Sequence, residues 1–547
     1  MISEEAYREL EEIVGPENVS REPAVLEGYA WQPFLNDDPE LWIKRPVAAV
    51  LPGSTEEVQE VVRACNRHGL KFKALSTGWG AIGGPSTEGV VQVDLRRMDR
   101  ILEIDEKNMY AVVEPYVCGA QLQAEVMKRG LNTHIIGAGP SCSPLASATS
   151  MSGVGHDCIY MSYSARNVLG VEWVLPDGEV LRLGTPGSGL GWFSGDGPGP
   201  SLRGVMRGAL GALSGLGIFT KCAVKLYNWP GPQRMEAEGL VLDSRVEAPP
   251  NLRFYLLVFP GPREFADALY EIGEAEIGYA AVRIAAVAYV ALIMPHSGFK
   301  LLETRALRSL LTRTLKYPLT FVLAGATPEE TDFQEAVLKE IVDRHRGILV
   351  DFRLLGPMSR FMPLNFLRVS IIPLAFRPGG IFGTCLDGNE ALDTQMRWVD
   401  VISEAKKEFI EKGAIMDDEG DNPYFVPYEN NTWAHCEITY AYRVDNPVSL
   451  ENLNPIEFTS TLNAIEQCMT PLSAFLPPVR KVMSPLAGHF NRWQRRISEA
   501  LDPNKAADTG FYTQESDFAY QRIDEAKKER LRRLQEKLTW TEEGPPS

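Results

Sequence analysis

A strand, a capped helix and a second strand crowd into residues 47–75, and a glycine cluster follows at once. Val47-Ala48-Ala49-Val50-Leu51 is a short apolar run closed by Pro52-Gly53. Ser54-Thr55-Glu56-Glu57 opens a helix that reaches about His68, because a serine followed three residues later by glutamate satisfies the free N–H groups of a first turn. Lys71 to Leu75 is the next strand, so the whole reads as a βαβ unit. The cluster itself is Ser76-Thr77-Gly78-Trp79-Gly80-Ala81-Ile82-Gly83-Gly84-Pro85. Small residues let backbone N–H groups close on an anionic ligand without any lysine. The spacing is neither GxGxxG nor a P-loop, and a tight structural turn is the competing reading.

A second unusual segment runs from Pro140 to His156, with almost no charge and many hydroxyls, and a third glycine/proline loop spans 195–200. Three such loops suit one nucleotide-sized ligand. Elsewhere, residues 3–14 form an amphipathic helix capped by Ser3 and ended by Gly15-Pro16, and the chain to Arg45 reads as extended. Strands are expected at 90–95, 101–104 and 111–115, a helix at 121–130, and a hairpin at 168–183 turning on Pro176-Asp177-Gly178. Trp229-Pro230-Gly231-Pro232 marks a linker, so the expected division is 1–234, 235–485 and 486–547. The fold class is α+β.

The formal net charge is −17, which disfavours nucleic acid, since phosphate backbones need a basic face. None of the eight cysteines forms a CxxC pair, so zinc-ribbon and iron–sulfur spacings are absent, no metal is assigned, and a reducing, cytoplasmic location is expected. The N-terminus lacks the apolar core of a signal peptide. Ile277 to Pro295 is almost wholly apolar, but Arg283 inside it argues for a buried element of a soluble domain. Lys300 to Lys316 is a basic amphipathic stretch; a half-buried helix is the ordinary reading and a membrane surface the less favoured one. The charged helix 520–537 reads as a solvated face.

In their order, residues 46–227 resemble the FAD-binding domain of the vanillyl-alcohol oxidase/p-cresol methylhydroxylase superfamily. The motifs that carry this are Pro46 to Val58, Ser76 to Gly84, Val93-Asp94-Leu95-Arg96-Arg97-Met98, Val113-Glu114-Pro115, Pro140-Ser141, Gly153-Val154-Gly155 and Glu172 to Gly178. Gly199 to Gly204 and Gly217 to Lys221 are most similar to the phenol-oxidising branch, and Ala500 to Asn504 to the C-terminal return into the FAD domain. The resemblance implies that Ser76, Thr77, Gly78, Trp79, Gly80 and Ala81 hold the FAD pyrophosphate. It places Pro140, Ser141, Ser147, Thr149, Ser150 and Gly153 along the ribityl chain and flavin, Gly217 and Ile218 near the adenine end, and residues 235–485 as the cap over the substrate.

The chain departs from the family in ways that matter. The first loop offers no histidine to tether the flavin, so FAD is expected to bind without a covalent bond. Cys158 to Arg166 carries no carboxylate, no Tyr-Arg pair precedes the final Asp-Pro-Asn (Arg480, Arg492 and Arg495 stand nearest), and Asn431 to Glu437 does not reproduce a histidine-rich metal motif. The expected activity is removal of a hydride from an aromatic alcohol or alkylphenol-like substrate, with electrons passed to a protein acceptor or oxygen. A D-2-hydroxyacid dehydrogenase and a flavin-carrying subunit of a larger electron-transfer complex are the alternatives. His156, beside the Gly-Val-Gly loop, and His435 are the candidate bases, with Tyr442 and Arg443 as anchors for an anionic oxygen. A satisfied structural histidine is the bland reading of His435. A homo-oligomer is expected.

Overall fold

The computed structural model describes residues 2–30, 44–78, 83–151, 153–186, 189, 191–192, 202–206, 216–239, 244–284, 304–356, 358–370, 383–420, 423–443, 445–467, 469, 488–509 and 525–538. Trp79, Gly80, Ala81, the loop 195–200, residues 285–303 and Arg480 lie outside them.

Ala48–Val50 and Lys71–Leu75 both run parallel to Val90–Asp94 in a four-stranded sheet whose other edge is Val19–Ser20. The crossover is the helix Thr55–Arg67. Ser54 Oγ accepts the Glu57 N–H at 3.2 Å, and the Glu57 carboxylate accepts the Gly53 N–H at 2.7 Å. Val58, Val61, Val62 and Cys65 recur at helical spacing and are buried with Val50 and Val91. The helix Glu4–Val14 joins the same core through Leu10 and Val14, with Ser3 Oγ accepting the Ala6 N–H at 3.1 Å. Pro23–Ala30 is helical where the sequence reads as extended chain; its one buried residue, Leu26, leaves no apolar period to detect. At the far edge, Phe72 donates to the Ala506 carbonyl and accepts from Asp508, so residues 506–508 extend this sheet from the other end of the chain.

A second sheet of five antiparallel strands has the order Ile101–Asp105, Tyr110–Val113, Ile218–Lys225, Val168–Val174, Val180–Leu183. Its hairpin turns at Gly178, whose φ of +86° is a left-handed conformation open to glycine.

Seven antiparallel strands build the third sheet, in the order Ile348–Asp351, Leu252–Phe259, Tyr317–Ala324, Ala280–Ile284, Pro423–Tyr428, Trp433–Tyr440, Gly383–Ala391. Strand side chains alternate between faces. One face sends Tyr255, Leu257, Phe321, Phe425, Cys436 and Ile438 against the helices Pro262–Glu274, Pro328–Arg344 and Leu392–Glu411. The other sends Phe254, Val282, Val322, Val426 and Tyr428 against Val154, Cys158, Met161 and Phe366.

Arg283 sits in the strand Ala280–Ile284, with its guanidinium 4.9 Å from the Tyr317 ring centre and 5.7 Å from that of Phe265. Those π faces and the Lys316 carbonyl explain how an arginine is housed in an apolar run. The helix Arg305–Thr314 buries Arg308, which pairs with Asp417, and leaves Leu310 exposed. The helix Glu525–Leu538 buries Leu531 and Leu534 and clamps Glu466 through Arg530, so one face of this charged helix is docked. No helix among the described residues is long and apolar enough to cross a membrane.

Candidate functional site

The first glycine cluster and the hydroxyl-rich segment meet at the end of the strand Lys71–Leu75. Ser76 Oγ donates to the Pro115 carbonyl, and Thr77 Oγ1 accepts the Ser143 N–H at 3.1 Å. Gly78 has φ +76°, and a Cβ there would meet nothing within 4 Å. The glycine therefore serves the turn and leaves its backbone open on that side.

Residues 132–157 form the wall of the site. Gly119 and Ala120, which begin the helix Gly119–Met127, donate to the carbonyls of Cys142 and Pro140 at 2.8 and 2.9 Å. Ser143 caps the next turn, its Oγ accepting the Ala146 N–H at 3.2 Å. Ser147, Thr149 and Ser150 are buried; Thr149 Oγ1 donates to the Leu145 carbonyl at 2.9 Å and lies 3.1 Å from Ser150 Oγ. Pro140 is half-buried and Ser141 exposed. Gly153 donates to the Ser147 carbonyl, and a Cβ on it would lie 2.4 Å from Ile136 Cγ2. A small cleft, partly open to solvent, is lined here by Thr133, His134, Ile136, Gly139, Ser147 and Ser164 among others.

Gly217 and Ile218 stand apart from this wall. Gly217 has φ +93°, and a Cβ would lie 2.2 Å from the Val174 carbonyl oxygen, so only glycine fits. The Ile218 side chain is buried in the core with Val50 and Val174, which leaves its backbone alone to meet a ligand.

His156 is buried where the wall meets the third sheet; its carbonyl accepts the Ala281 N–H at 2.7 Å. Its Nδ1 donates to the Phe366 carbonyl at 3.2 Å, and its ring centre lies 4.6 Å from that of Phe366 and 6.0 Å from that of Tyr424. Burial pushes the imidazole down to about 4, so the ring is neutral near pH 7 and presents a lone pair at Nε2. That nitrogen, the Tyr424 hydroxyl and Ser164 Oγ are buried without a hydrogen-bond partner among the described residues. Burial first, then the charge of Glu437, drives the Tyr424 hydroxyl well above its ordinary value, so it stays protonated.

Tyr424 pairs with Glu437, and Val426 with His435, across adjacent strands. Directly opposed residues share a sheet face, so His435 and Glu437 stand on the face that Tyr424 presents to His156. His435 Nδ1 lies 3.2 Å from Asn389 Oδ1, and its Nε2 lies 3.1 Å from Glu437 Oε1. Tyr442 is buried on the opposite, helix-covered side with Tyr440, its hydroxyl raised by burial. Arg443 is 70% exposed and bidentate to Asp445. The structure thus gathers His156, Tyr424 and the His435–Glu437 pair on one side, and leaves Tyr442 and Arg443 on the other side and at the surface. Tyr424 escapes sequence reasoning because its neighbours Gly137 and His156 lie far away in the chain; a Cβ on Gly137 would sit 1.9 Å from its hydroxyl oxygen.

The donor set fits FAD. It comprises the open backbone at Gly78 and three neutral polar atoms without a partner among the described residues, Ser164 Oγ, His156 Nε2 and the Tyr424 hydroxyl, in an uncharged lining of the kind a large, mostly uncharged ligand with one pyrophosphate requires.

Comparison with known proteins agrees with that chemistry. Residues 46–184 match the FAD binding domain family. An uncharacterized FAD-linked oxidoreductase of Mycobacterium tuberculosis is 30% identical over 217 residues, covering 40% of this chain and 44% of the relative. The flavoprotein subunit of 4-cresol dehydrogenase (hydroxylating) from Pseudomonas putida is 30% identical over 248 residues, covering 42% and 45%. The matches thus span under half the length of these curated relatives. Among solved structures, substrate-bound p-cresol methylhydroxylase superposes with a TM-score of 0.73 at 19% identity, over 93% of this chain and 96% of the other. Residues 46–184 thus carry an FAD-binding domain, and the chain has the fold of p-cresol methylhydroxylase.

Proposed function

We propose that the chain is an FAD-dependent oxidoreductase that removes a hydride from a small organic substrate, an aromatic alcohol or alkylphenol-like molecule, held between the 132–157 wall and the third sheet. The observation that carries this reading is His156: a buried, neutral imidazole whose Nε2 has no partner among the described residues, beside a tyrosine hydroxyl in the same condition. FAD, when bound, supplies the hydride acceptor. His156 Nε2 accepts the substrate's hydroxyl proton, and Phe366 fixes the tautomer by holding Nδ1–H. An imidazole pushed to about 4 is a weak base alone, so it takes the proton as negative charge develops next to it. The His435–Glu437 pair lies on the same sheet face and serves as the second candidate proton carrier. In this reading residues 235–485 are the substrate-covering cap.

Electrons leave by a protein acceptor in preference to oxygen, a reading supported by the Pseudomonas relative's being named a flavoprotein subunit. With no histidine in the first loop, FAD is held without a covalent bond; acid precipitation should release all the yellow colour, and a yellow pellet would refute this. The reaction is tested by anaerobic bleaching of the flavin with aromatic alcohols, alkylphenols and D-2-hydroxyacids in turn. His156→Ala should keep its FAD and be reduced about 10²–10⁴ times more slowly. Reduction at the wild-type rate removes His156 from the mechanism, and bleaching by hydroxyacids alone turns the assignment to the alternative substrate class.

A further inference from the structure

Three buried side chains converge at the cleft wall and play no part in the reaction above: His134, which lines the cleft, Asp157 and Cys158. Their ligand atoms all lie within 4.8 Å of one another. His134 Nε2 is 3.2 Å from the Gly153 carbonyl, which can only accept, so that nitrogen carries the hydrogen. Nδ1 is then left to face Asp157 Oδ1 at hydrogen-bonding range. Two lone pairs that close require a cation between them. A shared proton fills that gap as it stands, and a metal ion in its place parts the two atoms to about 3.3 Å, the ligand separation of a tetrahedron with bonds of about 2 Å.

The surroundings match the metal. In metal sites each ligand is oriented by an outer hydrogen bond, and all three have one here. The Gly153 carbonyl holds the far side of His134, the Ile135 N–H holds Asp157 Oδ2 at 3.0 Å, and the Gly155 N–H points at Cys158 Sγ at 3.1 Å. One imidazole, one carboxylate and one thiol form a mixed N/O/S set, which selects borderline-soft ions over magnesium or calcium. Three protein ligands with a fourth position open is a common zinc arrangement.

We propose that His134, Asp157 and Cys158 form a binding site for a divalent transition metal, with zinc the best match to the ligand set. On binding, the sulfur–metal bond replaces the Cys158 S–H bond and the proton passes to solvent. The ion would staple residues 134–135 to the turn 153–158, which carries His156.

The test uses the full-length, FAD-loaded protein, dialysed against Zn²⁺ and then against metal-free buffer. Elemental analysis should find one zinc per chain, and Cd²⁺ in its place should produce a thiolate-to-metal ultraviolet band. His134→Gln and Cys158→Ser should each lose the metal, and Cys158→Ser the band. If a variant fails to fold, zinc-edge X-ray absorption of the wild type decides, one sulfur among nitrogen and oxygen neighbours being the expected shell. A wild-type protein that emerges free of zinc overturns the proposal in favour of the shared proton. So does zinc retained at one per chain by a variant carrying both His134→Gln and Cys158→Ser, or a zinc shell without sulfur.

Discussion

The two faces of the seven-stranded sheet solve different problems with the same strands. On the helix-covered face, Phe425, Cys436 and Ile438 are fully buried among Phe265, Trp398 and Ile402. Buried charge on that side is paired: Lys406, wholly buried, holds Asp418 and the Thr439 carbonyl. One residue away along the same strands, Tyr424, His435 and Glu437 occupy the other face, where the Tyr424 hydroxyl and the neighbouring His156 Nε2 find no partner among the described residues. An unpaired buried polar atom costs about 1–3 kcal/mol. The helix face also leaves Trp398 Nε1 without a partner among the described residues, but encloses it in aliphatic and aromatic packing, whereas the opposite face sets its unpartnered groups against the 132–157 wall, where a ligand can satisfy them.

The largest effect should come from breaking the stable face. Phe425→Ala removes a ring that packs edge-on against Phe265 at 5.9 Å and is closed in on all sides. A cavity left by a buried aromatic costs about 3–5 kcal/mol. Chemical denaturation should show a loss of that size; a loss under about 1 kcal/mol would mean the core closes over the gap and the contrast between faces is weaker than drawn.

The same division explains what could be read from the sequence. The βαβ unit was legible because its signals are local: Ser54 and Glu57 cap the helix they flank, and Val58, Val61 and Val62 repeat at helical spacing. The hairpin at Gly178 is equally local. The strand order of the seven-stranded sheet is not, since Ala280–Ile284 lies between strands that begin at residues 317 and 423. His156 could be singled out by its place after Gly-Val-Gly, whereas Tyr424 and His134 act through partners far along the chain. Arg443 carried a misleading signal: an arginine beside a buried tyrosine resembles an oxyanion clamp, but Asp445 two residues on already occupies its guanidinium.

An intermediate effect should separate the faces by pH. The unfolded His156 titrates near its ordinary 6.5, and the folded one near 4. Between those values the unfolded chain binds a proton that the folded chain does not, so stability falls as pH drops through this window and the loss is complete below about pH 4. The full difference amounts to about 3 kcal/mol. His156→Gln should lose most of this contribution, so its stability should decline less than that of the wild type between pH 7 and pH 4.5. Parallel declines in urea titrations would show that His156 is not held neutral by burial.

The smallest effect on stability, and the sharpest on the comparison, belongs to Tyr424→Phe. The hydroxyl presses on Gly137 and has no hydrogen-bond partner among the described residues, so removing it deletes no bond while keeping the ring that fills the space near His156. Stability should stay within about 0.5 kcal/mol of wild type or rise, because an unsatisfied buried group disappears. If the hydroxyl waits for a ligand, the cost falls there instead: flavin reduction by the best substrate should slow by about tenfold or more, the worth of one hydrogen bond to a developing charge. Denaturation and anaerobic reduction on the same preparation give both numbers. A drop of more than about 1.5 kcal/mol with an unchanged reduction rate would place Tyr424 with the packing residues, and the two faces would then differ in polarity without differing in purpose.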